Sequence, residues 1–243
     1  MAVSGICDRN QKKMNAANPN PQQLRFDVDG AGSVSALLLR PPQASACFVF
    51  AHGAGAGMAH PFMEQVAAGL YEQGIATLRY QFPYMEKGSK RPDAPPVAHA
   101  TVRAAVAEAA RHCPGLTLIA GGKSFGGRMT SQAQAIAPLA GVRGLAFLGF
   151  PLHPPDKPSE ARAKHLSDVH IPMLFVQGTR DKLAEPKLIE PLVARLGAAA
   201  SLHSVEGADH SFHVLLRSGR NDGEVMREVI GTLADWIGAR AAR

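Results

Sequence analysis

Residues 118–132 read LIAGGKSFGGRMTSQ. The segment opens as an apolar run, breaks at a Gly-Gly pair, presents one small hydroxyl residue, Ser124, and breaks at a second Gly-Gly pair before a helix-favouring tail. Two readings compete. Either the chain needs a tight turn and the serine is incidental, or the turn exists to expose that hydroxyl. Gly122-Lys123-Ser124-Phe125-Gly126 fits G-x-S-x-G between a strand and a helix, the setting in which the serine occupies a strained turn above a sheet. The residues two before and two after it must then be tiny, because a Cβ there would strike the neighbouring strand and helix. A helix starting at this point also aims its first N–H groups at any oxyanion formed beside the serine. Alone the pattern is weak, since glycine and serine are abundant. Its meaning depends on what surrounds it.

Outward from the serine, LTLIAGG (116–122) reads as a strand and GRMTSQAQAIA (127–137) as a helix. Upstream, LRFDV (24–28) and SVSALLLR (33–40) flank the glycine turn of a hairpin. ACFVFAHG (46–53) is the continuous apolar run of a strand buried on both faces. PFMEQVAAGLYEQ (61–73) has Phe62, Val66 and Leu70 at helical spacing, with Gly74 as its stop. IATLRYQF (75–82) is a strand followed by a Pro-, Lys- and Gly-rich loop to Pro96, and VAHATVRAAVAEAARHC (97–113) is helical. Downstream, strand VRGLAFLGF (142–150) leads into the loop PLHPPDKPSEARAKHL, then strand PMLFVQGTRD (172–181) and helix PKLIEPLVARLG (186–197). ASLHSVEGADH (200–210) is a short strand running into a loop, and GEVMREVIGTLADWIGAR (223–240) an amphipathic closing helix. A hairpin followed by alternating strands and helices predicts an α/β fold: a mostly parallel central sheet with an N-terminal antiparallel hairpin, helices on both faces and no large lid domain. Residues 1–22 are expected to be a flexible tail and 23–243 a single domain.

A serine hydroxyl needs a base, and the base an orienting acid; in this architecture they follow in the order Ser, acid, His at the ends of later strands. Asp181 ends one strand 57 residues after Ser124, and His210 follows the next, 29 residues further on. A helix-capping aspartate and a surface histidine are the plain alternatives for these two taken singly. Asp209 is a rival acid, but adjoining His210 it would need an awkward bend to reach that ring. The oxyanion donors should be the N–H of Phe125 and one from FAHGAGAG (50–57), which resembles a glycine-rich HGGG loop; Ala54 is the expected second donor.

Other chemistries fit less well. GAGAGM lacks the third glycine of a dinucleotide fingerprint, and GGKSFGG lacks the first glycine of a P-loop. His210, His213 and Asp209 come without HExxH or CxxC spacing, so no metal and no cofactor are expected. Hydrophobic residues make up 46% and charged residues 19% of 243 positions, ordinary for a globular chain. The net charge of +6 is scattered, which gives nucleic-acid binding little support. No apolar run reaches the roughly 20 residues of a membrane span, and no secretory leader is apparent. Three cysteines, Cys7, Cys47 and Cys113, without paired spacing suggest reduced thiols in a cytoplasmic chain. The chain is expected to be a monomer or homodimer.

With these residues assembled, the sequence resembles an α/β-hydrolase. More narrowly it is similar to the compact, dienelactone-hydrolase-like branch grouped with testis-expressed protein thirty and subunit three of the non-specific-lethal complex. The matching words are AHGAGAGMAHPFM, RYQFPYMEKGSKRPD, GGKSFGGRM, GFPLHPPDKP, QGTRDKL and GADHSF, spread from about residue 24 to 240. The resemblance implies Ser124 as nucleophile, Asp181 as acid and His210 as base. His52 and Gly53 at the strand end, Tyr84 with Lys87 and Arg91 in the 82–96 loop, and His153 in the loop after 150 are candidates for the substrate pocket. The two loops serve equally well as rigid surface segments. The expected activity is hydrolysis of carboxylic esters or thioesters of a small-molecule acyl substrate. A non-catalytic interaction scaffold and an acyltransferase on the same residues are the competing readings.

Overall fold

A computed structural model describes residues 20–242. Most of the expected tail, together with Cys7, lies outside the described residues, and Gln22 already opens the first strand. Strands β1 (Gln22–Val28) and β2 (Gly32–Leu39) form the antiparallel hairpin, with Val28 opposite Gly32. The rest of the sheet comprises β3 (Ala46–Ala51), β4 (Ile75–Tyr80), β5 (Thr117–Lys123), β6 (Val142–Leu148), β7 (Met173–Gly178) and β8 (Ala200–Val205). The eight strands lie in the order β1-β2-β4-β3-β5-β6-β7-β8. β2 pairs antiparallel with β4, and every pairing beyond β4 is parallel. β5, which carries the glycine-flanked serine, is therefore interior, bonded to β3 on one side and β6 on the other.

The continuous apolar run of β3 serves two cores at once. Cys47, Val49 and Ala51 pack on one face of the sheet, and Ala46, Phe48 and Phe50 on the other. Alternate residues of a strand point to opposite faces, so a strand covered on both sides is apolar throughout. The first face is covered by α3 (Pro95–His112), α4 (Phe125–Ile136) and α5 (Pro186–Leu196), through residues such as Val102, Met129 and Ile189. The second is covered by α1 (Pro61–Glu72) and α6 (Asp222–Ala241), through Val66, Leu70, Val229 and Leu233. Each large side chain fully enclosed this way contributes about 1.5–3 kcal/mol of transfer free energy.

Helix starts follow local chemistry. Proline occupies the first turn of α1, α3 and α5, where its missing N–H costs nothing. Asn221 and Glu224 close a reciprocal capping box on α6. Two expected loops contain short helices: α2 (Pro83–Glu86) follows β4, and a 3-10 run covers Ala161–Asp168. β4 ends at Tyr80, two residues before the expected limit, because Gln81 and Phe82 turn away to support the loop after β3. Cys47 and Cys113 are free thiols, both buried. No described helix is long and apolar enough to cross a membrane.

Candidate active site

The parallel strands deliver their ends to one edge of the sheet, and the loops leaving that edge meet around Ser124. β5 ends at Lys123 and α4 begins at Phe125, so Ser124 alone makes the turn, at φ 50° and ψ −114°. This is left-handed backbone that a side chain enters only at a cost of about 1–3 kcal/mol. The turn is fixed from both sides: the serine N–H donates to the Leu148 carbonyl at 3.1 Å, and its carbonyl accepts from the Arg128 N–H at 3.1 Å. The flanking glycines are sterically required. A Cβ on Gly122 would stand 2.4 Å from the Ala51 oxygen, and one on Gly126 would stand 2.6 Å from the His52 oxygen.

Three side chains distant in sequence converge here. Ser124 Oγ lies 2.9 Å from His210 Nε2, and His210 Nδ1 lies 2.7 Å from Asp181 Oδ2. Asp181 follows β7 and is buried; besides the histidine its carboxylate accepts from Gln177 Nε2 at 2.5 Å and from the Leu183 N–H at 2.8 Å. An acceptor-only carboxylate requires the proton on Nδ1, which leaves Nε2 free to accept from the serine. Gln177 is itself locked, its Oε1 accepting from the Phe150 N–H at 2.9 Å. Asp209 turns elsewhere: its Oδ1 accepts from the N–H groups of Ser211 and His213, at 2.8 and 3.0 Å. His213 pairs with Asp222 at 2.7 Å.

The loop after β3 runs against the serine, since a Cβ on Gly53 would lie 3.8 Å from Ser124 Cβ. Its polar groups are tied down one after another. The Gly55 N–H donates to Tyr84 Oη at 3.0 Å, the Ala56 N–H to the Gly53 oxygen at 3.2 Å, and the Met58 N–H to Gln81 Oε1 at 2.8 Å. The Ala54 N–H has no protein acceptor among the described residues. Phe125 at the first position of α4 has an N–H that no helical carbonyl can reach. Both residues expected to donate to an oxyanion therefore have an N–H to spare.

The cleft at this edge holds about 590 Å³. Ser124, His210, Lys123, Gly53 and Ala54 form its floor, with Phe62, Met63, Phe212 and Met226 as an apolar wall and His60, His213 and Asp222 at its polar rim. Phe62 and Phe212 stack with centroids 5.9 Å apart. Of the expected pocket residues only Gly53 lies on the lining; His52, Tyr84 and His153, expected beside it, turn away from the cleft. His52 is fully buried: its Nδ1 faces the Gly53 oxygen at 2.8 Å and its Nε2 accepts from the Phe82 N–H at 3.2 Å. Burial, opposed only by the Gly53 bond, takes its pKa down to about 4 and keeps the ring neutral. Tyr84 is buried beneath the same loop, and His153 is buried with Nδ1 against the Pro154 oxygen at 2.8 Å. All three brace backbone rather than face the cleft. Lys87 and Arg91 are exposed and outside the lining.

Several residues of the site carried no sequence signal. Gln177 is one, and Lys123 is another. The lysine's Nζ donates to the His210 carbonyl at 2.7 Å. Burial draws its pKa down to about 8, partly offset by attraction to Asp181 and Asp209.

Residues 44–238 match the model of a family described as the alpha/beta hydrolase domain. The chain belongs to that family. Solved structures with the same fold include a dienelactone hydrolase from Anabaena variabilis, 19% identical over 91% of this chain and 99% of that one, with a TM-score of 0.72. A lidless a/b serine hydrolase from Xanthomonas campestris is 19% identical over 89% of this chain and 95% of that one, at a TM-score of 0.70. The esterase domain of a Rhodothermus marinus protein is 17% identical over 92% of this chain and 100% of that one, also at 0.70. The likeness at such identities lies in the fold, which in this chain is a mostly parallel sheet with an N-terminal hairpin and, among the described residues, no large lid domain. In this α/β-hydrolase domain the glycine-flanked serine stands at the edge where the interior strands end.

Proposed function

We propose that the chain is a serine hydrolase that cleaves carboxylic esters or thioesters of small acyl substrates, within the dienelactone-hydrolase-like branch that its sequence words resemble. The observation that carries this reading is the unbroken chain Ser124 Oγ–His210–Asp181, with bonds of 2.9 and 2.7 Å. His210 Nε2 takes the hydroxyl proton as Oγ attacks the substrate carbonyl. The N–H groups of Phe125 and Ala54 receive the oxyanion, and Asp181 stabilises the imidazolium. Collapse of the tetrahedral adduct expels the alcohol or thiol, which takes the proton from His210 and leaves an acyl-serine. Water then gives its proton to His210, attacks the acyl carbon and releases the acid, and the proton returns to Ser124.

The free volume of about 590 Å³, with no lid domain over it among the described residues, supports small acyl groups. The reading also places the chain in the cytoplasm, working on a dissolved small molecule as a monomer or homodimer. Incubation with a fluorophosphonate should attach one phosphonyl group, mapped to Ser124 by peptide mass. Folded protein that stays unlabelled refutes the assignment. On p-nitrophenyl esters, kcat/KM should be highest between acetyl and butyryl and fall by about tenfold or more towards palmitoyl; a steep rise along that series refutes the small-acyl preference.

A further inference from the structure

We propose that Lys123, the residue immediately before the elbow serine, is a positioning residue that holds the His210 loop in register with Ser124. This deepens the reading above and rests on it. Strand β5 ends with two side chains in succession. Ser124 presents Oγ to the His210 ring at 2.9 Å, and Lys123 presents Nζ to the His210 carbonyl at 2.7 Å. One strand end thus grips the histidine at both its ring and its backbone, across 86 and 87 residues of chain.

The surroundings of the ammonium are built around it. Nζ lies 5.9 Å from the centroid of the Phe62 ring and 5.6 Å from that of Phe212, close enough for both π-faces to attract it. Gly149, just beyond β6, leaves the space the ammonium fills: a Cβ there would stand 2.9 Å from Nζ, 3.3 Å from the His210 oxygen and 3.4 Å from His210 Cε1. The charges that attract Nζ are Asp181 beyond β7 and Asp209 beyond β8. α1 contributes the Phe62 ring. Lys123 makes no ion pair within 4.0 Å among the described residues. A lysine that only packed its stem would leave its head in water, as long cationic side chains usually do. Here the head is bonded to the residue whose placement the chemistry needs.

The test uses the full chain and p-nitrophenyl acetate, with kcat and KM measured for wild type, K123M, K123Q and K123R, and folding checked by near-UV circular dichroism. K123M should lose roughly tenfold to a hundredfold in kcat with KM within about threefold, because a loosened base costs orientation rather than substrate binding. K123Q keeps an N–H for the carbonyl, so its loss of kcat should be smaller. K123R keeps a cationic donor and should recover most of the wild-type kcat. K123Q carries the comparison with K123R if K123M does not fold. A kcat within about threefold of wild type for the variant without a donor, a KM that rises as far as kcat falls, or a K123R no better than the uncharged variants overturns the proposal. Fluorophosphonate labelling of wild type is read first: its failure overturns the hydrolase reading itself, whereas labelled wild type with unaltered Lys123 variants overturns only this inference.

Discussion

Ser124→Ala is expected to lower kcat on p-nitrophenyl acetate by on the order of 10⁵- to 10⁶-fold, the scale on which removing the nucleophile of such a triad acts. The substitution deletes one atom. Alanine retains the Cβ, and the bonds that hold the turn, from the residue-124 N–H to the Leu148 oxygen and from the Arg128 N–H to its own carbonyl, use only backbone. The backbone strain at φ 50° is the same for alanine as for serine. The thermal midpoint should therefore move by no more than about 4 °C, the worth of one part-exposed hydrogen bond. The Phe125 and Ala54 N–H groups and the cleft survive, so about 10³- to 10⁴-fold acceleration over water should remain, through direct attack by water on the bound ester. KM within a few-fold of wild type, beside the collapse of kcat, separates a missing nucleophile from a damaged pocket. Activity above about one hundredth of wild type places the nucleophile elsewhere.

The elbow was legible because its requirements are local and steric. Two glycines bracket a serine where a strand gives way to a helix, and their Cβ atoms would collide with Ala51 at the end of the neighbouring strand and with His52 just beyond it. The order Ser124, Asp181, His210 was legible because a parallel sheet delivers its strand ends to one edge, so residues at successive strand ends become neighbours. The one misplaced boundary there is instructive. The helix expected from residue 127 begins at Phe125, since the second glycine pair, read as a break, belongs to the first turn of α4 and lets it approach β3 and β5 closely.

What was not legible depends on contacts far apart in the chain. His52, Tyr84 and His153 looked like pocket residues because each sits beside the loops that form the edge. Which way a side chain turns there depends on an available partner, and each found a backbone group inward. The apolar wall came from Phe62 and Phe212, which the sequence offers only as helix and loop residues 150 positions apart. Lys123 reads as the variable position of a motif until the carbonyl of residue 210 is seen against its Nζ. Local geometry is written in neighbouring residues; orientation across the sheet is written in pairs.

Asp181→Asn should cost about 10³- to 10⁴-fold in kcat, because it reverses the tautomer on which His210 depends. Asp181 Oδ2 accepts from His210 Nδ1 and from Gln177 Nε2, and Oδ1 accepts from the Leu183 N–H. An asparagine with its amide nitrogen in the Oδ2 position donates to Nδ1, forces the ring proton onto Nε2 and removes the acceptor that Ser124 needs. That orientation also opposes the Gln177 amide, which cannot flip without facing the Phe150 N–H. The opposite orientation restores an acceptor to the histidine and sets the asparagine nitrogen against the Leu183 N–H. Every arrangement thus leaves a buried donor facing a donor, at about 1–3 kcal/mol. Asp209→Asn is the matched control. Its Oδ1 serves the N–H groups of Ser211 and His213, a role that the amide oxygen of asparagine fills equally well, so kcat should stay within about tenfold of wild type. Steady-state kinetics on the two purified variants decides between the two aspartates: a larger loss for Asp209→Asn than for Asp181→Asn would transfer the acid's role to the neighbour of the histidine and undo the network described for Gln177.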